Sequence, residues 1–372
     1  MNKNVLITGG GGFIGSHLAD ELLAKGYHVR ILDNLSEQVH GKQFKRPGYL
    51  DNRVELVTGD VRDPIKVKQA LKGIDAVYHY AAMVGVGQSM YEIKEYTDVN
   101  NLGTAVLLEA LSKNPVEKLV VASSMSIYGE GLYKDAEGSI REGIPRSLKQ
   151  LKRGDWETYD ENGNLLTPYP TPETKTPSLS SVYALSKYDQ ERMCLMIGRA
   201  YNIPTVALRF FNVYGTRQSL SNPYTGVLAI FASRLLNDNP LLIFEDGNQK
   251  RDFVSVLDVA RASRLALEAN NADYEVFNIG SGNAYTINEI ARNISEILHK
   301  QHIVPEICGK YRVGDIRHCF ADISKAKDLL GYEPRVSLQE GLAELAEWLQ
   351  TQTAEDKVTE ARNELASRGL TV

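Results

Sequence analysis

The 372-residue sequence predicts an α/β fold built on a doubly wound parallel sheet, and three observations carry that expectation. A run of β-prone residues at 5–8 breaks into glycines spaced Gly9-x-x-Gly12-x-x-Gly15, then resumes as a helical pattern through Leu18, Leu22 and Leu23. A second strand at 28–32 ends in Asp33, roughly 20 residues beyond the glycines, the spacing at which a carboxylate meets an adenosine ribose. Strands and helices then alternate to about residue 215, as in successive βαβ units.

Each glycine has its own physical reason. Gly9 lets the chain turn sharply out of the strand, Gly12 leaves the helix N-terminus and the amides of Phe13 and Ile14 open to a pyrophosphate, and Gly15 lets helix and strand approach closely. Lys25-Gly26 ends the helix with a cation and a left-handed cap. A carboxylate at Asp33 accepts hydrogen bonds from ribose hydroxyls and repels a 2′-phosphate, so NAD is expected rather than NADP. A glycine-rich turn beside an ordinary strand-end aspartate is the alternative.

Farther along, a third strand at 54–57 leads to Asp60 and Val61 at a carboxyl end, where ligands of such sheets bind; Asp60 reads either as an adenine partner or as a helix-entry residue before Asp63-Pro64. A fourth strand at 76–82 ends in the small residues Ala81 and Ala82, which leave room for a cofactor, and its His79 reads as a packed histidine. The helical pattern at 92–111 carries Asn100, Asn101 and Gly103, poor interior residues that suggest packing under a ligand or a partner helix. A fifth strand at 119–123 runs into Ser123-Ser124. The polar interval 130–181 holds enough apolar side chains, Trp156 and Leu166 among them, to be expected as an ordered flap over the site. Ser180-Ser181 caps a helix at 182–200, and a sixth strand at 205–211 ends in Asn212.

Beyond this the rhythm loosens. Helices are expected at 227–236, 257–268, 287–298 and 338–349, with a short strand at 242–244, and the charged tail after Thr351 is expected to be helical or frayed and unimportant for chemistry. The division is residues 1–215 for dinucleotide binding, 216–350 for a smaller mixed α/β unit interleaved with it, and 351–372 for the tail.

A net charge of −5 with no basic tract argues against nucleic acid. No apolar stretch approaches the roughly 20 residues that span a bilayer, so no membrane partner and a cytoplasmic protein are expected. Three scattered cysteines give no disulfide framework, and the seven histidines show no metal-binding spacing. Cys194 reads as a small core residue.

Tyr183 and Lys187 stand four apart at a helix start, one turn apart on one face. An ammonium there favours the tyrosinate and makes Tyr183 a general base for a hydroxyl. Ser124, at a strand's carboxyl end, can share that proton or can merely cap the following turn.

With these residues in hand, the segments Thr8-Gly9-Gly10-Gly11-Gly12-Phe13-Ile14-Gly15, Ser123-Ser124-Met125-Ser126-Ile127-Tyr128-Gly129, Tyr183-Ala184-Leu185-Ser186-Lys187 and Arg209-Phe210-Phe211-Asn212-Val213-Tyr214-Gly215 resemble the extended short-chain dehydrogenase/reductase family, NAD-dependent epimerase/dehydratase type, over roughly residues 3–350. The resemblance implies a Rossmann domain, a C-terminal unit that holds a nucleoside-diphosphate sugar on dTDP or UDP, and Ser124, Tyr183 and Lys187 as the catalytic trio. It places Asn34, Asn100, Ser123, Phe211 and Val213 around the cofactor. Around the substrate it places Val84, Ser126, Asn212, Val227, Arg251, Arg312 and Arg317, with Arg312 on the diphosphate. It also implies a homodimer, formed through a four-helix bundle of 92–111 and 182–200.

The family's dehydratases carry an Asp-Glu pair after the catalytic hydroxyl residue, and here those places are Met125 and Ser126. Neither supplies a second acid and base, so the resemblance points to 4-epimerisation. The segments 84–91 and 221–227, with the long interval after Gly129, are similar to the dTDP-L-rhamnose 4-epimerase group, and the UDP-glucose 4-epimerase group is the competing assignment.

Overall fold

A computed structural model describes residues 3–42 and 45–371. Seven parallel strands form its central sheet: β1 Asn4–Thr8, β2 His28–Asp33, β3 Glu55–Thr58, β4 Ala76–His79, β5 Lys118–Ser124, β6 Thr205–Phe210 and β7 Val276–Ile279. In space they run β7-β6-β5-β4-β1-β2-β3, so the order reverses between β1 and β4. At such a switch point the crossovers lie on opposite faces and a crevice opens at the strands' carboxyl ends.

Period-2 alternation sorts the core. Val5, Ile7, Ile31, Tyr78, Val120 and Leu208 face one side, under the helices Phe13–Ala24 and Val256–Glu268. Leu6, Leu32, Val77, Leu119, Val121 and Ala207 face the other, under Pro64–Ala70, Gly103–Lys113 and Val182–Ala200. A separate core of Phe231, Leu235, Ile290, Ile294, Leu342 and Leu345 joins the helices Val227–Leu236, Ile287–Ile297 and Leu338–Leu349. No helix among the described residues is long and apolar enough to cross a membrane.

Four features differ from the sequence expectations. β7 comes from residues beyond 215 and pairs with β6, so the C-terminal half completes the first sheet. The helical run expected at 92–111 is Ile93–Tyr96, a π-helical turn Thr97–Leu102, then Gly103–Lys113. The wide turn buries Asn100, while the missing side chain at Gly103 leaves room for Val61, whose Cγ1 would lie 2.5 Å from an added Cβ. The interval 130–181 is ordered, but its antiparallel sheet of Leu132–Lys134, Ile140–Glu142 and Thr167–Tyr169 is tied to residues 318 and 320 through Gly131 and Thr171. Of that interval only Ser180 and Ser181 line the cleft described below, so most of it is not a flap over the site. Finally, the tail forms the helix Val358–Ser367 and does line the cleft, against the expectation that it is remote from the chemistry.

Candidate active site

The turn after β1 has the shape its glycines require. Gly9 has φ +69°, and a Cβ on it would lie 2.8 Å from Ala81 Cα, across the switch point. A Cβ on Gly15 would lie 2.6 Å from Gly10 Cα, whereas one on Gly12 would meet only Gly9 O at 3.4 Å. The helix Phe13–Ala24 has no side-chain cap at Gly12, which keeps its first amides available to an anion. Asp33 Oδ2 accepts from Gly11 N at 2.9 Å and Oδ1 from Leu35 N at 2.8 Å. A carboxylate has about four lone-pair sites, so acceptor capacity remains for a ribose. Asn34 Nδ2 donates to Asp60 Oδ2 at 3.0 Å, and Arg62 holds the Asp60 carboxyl down at about 2. The residues present therefore fit a dinucleotide.

Two expected cofactor contacts are otherwise employed. The Ser123 hydroxyl donates to Glu191 Oε2 at 2.6 Å. Glu191 takes a bidentate pair from Arg209, at 2.9 and 2.7 Å, and this buried pair fixes the helix Val182–Ala200 to β5 and β6. Asn100 Nδ2 donates to Met83 O at 3.1 Å and Ser186 Oγ at 2.8 Å, and its Oδ1 accepts from Met83 N, so it clamps the loop after β4 onto the catalytic helix. Phe211 lines the substrate cleft, and Val213 packs against the main core.

A cleft of about 350 Å³ lies at the carboxyl ends of β4, β5 and β6, and it brings Val84, Ser124, Ser126, Tyr183, Asn212, Val227, Arg251 and Arg312 together. Ser124 ends β5 and its Oγ accepts from Ser126 N at 3.2 Å. Ser181 caps the catalytic helix through Ala184 N at 3.0 Å, and Tyr183 N donates to Ser89 Oγ at 3.0 Å. Burial pushes the Tyr183 hydroxyl above its ordinary value, and a hydrogen bond with Ser124 pulls it back. Two buried acceptor-capable oxygens of this cleft, Ser126 Oγ and Asn212 Oδ1, have no partner among the described residues. Such atoms suit a ligand rich in hydroxyls.

Lys187 departs from the expected pairing. Its Nζ donates to Gln190 Oε1 at 2.7 Å, and burial lowers its ammonium to about 8. Gln190 Nε2 donates to Thr104 Oγ1 at 2.9 Å, Thr104 meets His79 Nε2 at 2.8 Å, and His79 Nδ1 meets Thr8 Oγ1 at 2.8 Å. Burial holds His79 down at about 3, so it stays neutral within this network. The sequence reading missed Gln190, Thr104 and Thr8, since a network of this span has no local spacing that announces it. Cys194 is fully buried and its thiol is pushed up to about 12, an inert core residue as expected.

The arginines divide. Arg312 Nε donates to Asp315 Oδ2 at 2.8 Å, and its guanidinium lies 4.5 Å over the Phe244 ring. Arg251 gives its donors to the carbonyls of Lys250, Ile316 and Arg317. Arg317 is a correction: it is fully buried, bonded to Glu157, Glu245 and Asp246, and does not line the cleft. Asp252, next to Arg251, is also structural; it accepts from Ser281 N, Ser281 Oγ and Gly282 N, and burial raises its carboxyl to about 6.

A dinucleotide cradle whose neighbouring cleft pairs a serine with a tyrosine and a buried lysine defines an NAD-dependent enzyme of the short-chain dehydrogenase/reductase type. The chain belongs to the NAD dependent epimerase/dehydratase family, whose description matches residues 5–146 and 157–280. It is 37% identical over 352 residues to the dTDP-L-rhamnose 4-epimerase of Burkholderia thailandensis, covering 93% of this chain and 95% of that protein. A putative UDP-glucose 4-epimerase of Methanocaldococcus jannaschii is 35% identical, covering 93% and 98%. The solved UDP-glucose 4-epimerase of Thermotoga maritima, with UDP-glucose, superposes with a TM-score of 0.75 at 34% identity over 93% of this chain and 98% of that one. The Thermus thermophilus UDP-glucose 4-epimerase complex with NAD gives 0.74 at 31% identity, over 94% and 100%. This chain is an isomerase with NAD as its cofactor.

Proposed function

We propose that this enzyme, a nucleotide-sugar 4-epimerase, acts on dTDP-L-rhamnose and inverts C4 through a transient 4-keto sugar. The observation that carries the reaction type is the make-up of the catalytic wall. Tyr183 and Ser124 face each other, while the neighbours Met125 and Ser126 offer no second acid and base for elimination. NAD, when bound, supplies the two-electron acceptor and a cationic ring. Tyr183 takes the C4 hydroxyl proton and later returns it, Ser124 shares that proton, and Lys187 holds positive charge within the same helix turn. Ser126 and Asn212 bind sugar hydroxyls through their unpartnered oxygens.

The sugar assignment rests on the 37% identity to the rhamnose enzyme. Apolar groups in the cleft wall, Val84, Val86, Met90 and Met125, also suit the methyl group of a 6-deoxy sugar. UDP-glucose is the second reading, supported by the 34% identical structure that holds it. Incubation with each sugar nucleotide, followed by NMR at C4, tests both. The expected result is that dTDP-L-rhamnose equilibrates with its C4 epimer without added cofactor. Turnover of UDP-glucose instead moves the assignment to the second reading, and inversion of neither overturns the 4-epimerase.

We also propose a homodimer. Ile93 and Leu102 on one helical run, and Leu185 and Met196 on the run packed beside it, are about half exposed, which is unusual for large apolar side chains clustered together. Sedimentation equilibrium is expected to give twice the chain mass, and a monomer would contradict the proposal.

A further inference from the structure

The helix Val358–Ser367 has no part in the chemistry above, yet Val358, Ala361, Arg362 and Leu365 line the same cleft as Ser124 and Tyr183. Those positions recur at i, i+3, i+4 and i+7, so one helix face is turned to the cleft. Ala361 and Leu365 are buried there.

Both walls of the cleft hold this segment. On the side of the loop after β4, a Cβ on Gly87 would lie 3.4 Å from Leu365 Cδ2, and the Arg368 guanidinium lies 4.4 Å over the Tyr91 ring. On the other side, Arg362 Nη1 donates to Glu306 Oε1 at 3.0 Å, Val313 N donates to Leu370 O at 2.9 Å, and Thr371 bridges to Arg312. Upstream, Asp356 is gripped by Asn239 at 2.7 Å and Arg234 at 3.3 Å. The helix thus crosses from one wall to the other.

We propose that this helix is a wall of the nucleotide-sugar site and that Arg362 is a cationic contact for the substrate's diphosphate, working beside Arg312. The inference rests on the nucleotide-sugar reading of the cleft. A diphosphate brings concentrated negative charge to a chain of net charge −5, so the cleft has to supply cations locally. Three arginines line it, Arg251, Arg312 and Arg362. Arg251 is committed to backbone carbonyls, so the other two remain for an anion.

They share one ribbon. Glu306, the partner of Arg362, pairs with Leu242, and Arg312 stacks on Phe244 two residues on. The Arg362–Glu306 pair is nearly half exposed on the Glu306 side, and such pairs contribute little, so exchange of the carboxylate for a phosphate is cheap. A guanidinium then offers forked donors to phosphate oxygens.

The test is calorimetric binding of dTDP and UDP to the NAD-loaded enzyme, with steady-state kinetics on whichever sugar nucleotide it turns over. Arg362→Ala is expected to weaken nucleoside diphosphate binding and raise KM by about tenfold, with kcat, NAD content and melting temperature unchanged. Arg362→Lys is expected to recover part of the loss. Ala361→Trp, which narrows the cleft from the same face without altering charge, is expected to raise KM as well. Unchanged nucleoside diphosphate affinity in both Arg362→Ala and Ala361→Trp overturns the inference. A wild-type enzyme that binds neither dTDP nor UDP overturns the nucleotide-sugar reading itself and the inference with it.

Discussion

Tyr183→Phe is expected to lower turnover by about a hundred- to ten-thousand-fold, the range contributed by a single general acid–base group, while the protein keeps its NAD. The substitution removes one oxygen and leaves the ring in place. That ring stands edge-on to Tyr96 at 6.4 Å, and its backbone N–H donates to Ser89 Oγ, contacts a phenylalanine retains. The cofactor cradle is built from Gly9, Gly12, Gly15 and Asp33 on other elements. The hydroxyl is hard to ionise in the protein alone, because burial raises it and Ser124 only partly offsets this. Positive charge arriving with the cofactor is what makes it a usable base, which ties proton removal to a loaded site. Cofactor content measured after denaturation, with kcat on the same sample, checks the expectation; unchanged turnover would remove Tyr183 from the chemistry.

Arg317→Leu is expected to cost about 3–5 kcal/mol of stability, read as a lowered denaturation midpoint. Arg317 is wholly buried and its Nη atoms reach Glu245 at 2.9 Å, Asp246 at 2.6 and 2.9 Å and Glu157 at 2.6 Å. Burial pushes the Glu245 carboxyl up even with Arg146 and Arg317 beside it. Without Arg317, that carboxylate keeps one partner, Arg146 Nη1 at 2.9 Å, and Asp246 loses two bonds. The cluster also ties the 130–181 interval to the C-terminal half through Glu157, so its loss loosens two regions. A variant with an unchanged midpoint and a raised KM would return Arg317 to the substrate-binding role the sequence suggested.

The contrast between these residues shows what a sequence makes legible. Gly9, Gly12, Gly15 and Asp33 were readable because their function depends on backbone conformation and spacing within one βαβ unit. Ser124 and Tyr183 were readable from position, a strand end and a helix start, together with the family resemblance. Arg312 and Arg317 lie five residues apart in one motif-like stretch, yet one lines the cleft and the other is interred; the difference comes from Glu157, Glu245 and Asp246, which are distant in sequence. β7 was overlooked because four residues interrupted by Asn278 carry little periodicity, and their place is set by pairing with β6. The tail helix was dismissed for its charge, although four residues on one face suffice to line a cleft.

The central claim is that hydrogen leaves C4 and comes back within one closed site, with Tyr183 handling only the hydroxyl proton. The most direct measurement runs the epimerisation of the sugar nucleotide in deuterium oxide and reads C4 of the inverted product by NMR. Protium retained at C4 is the predicted result. Deuterium incorporated there would contradict the account, because it would mean that the carbon-bound hydrogen passes through solvent and that inversion proceeds by proton abstraction at carbon.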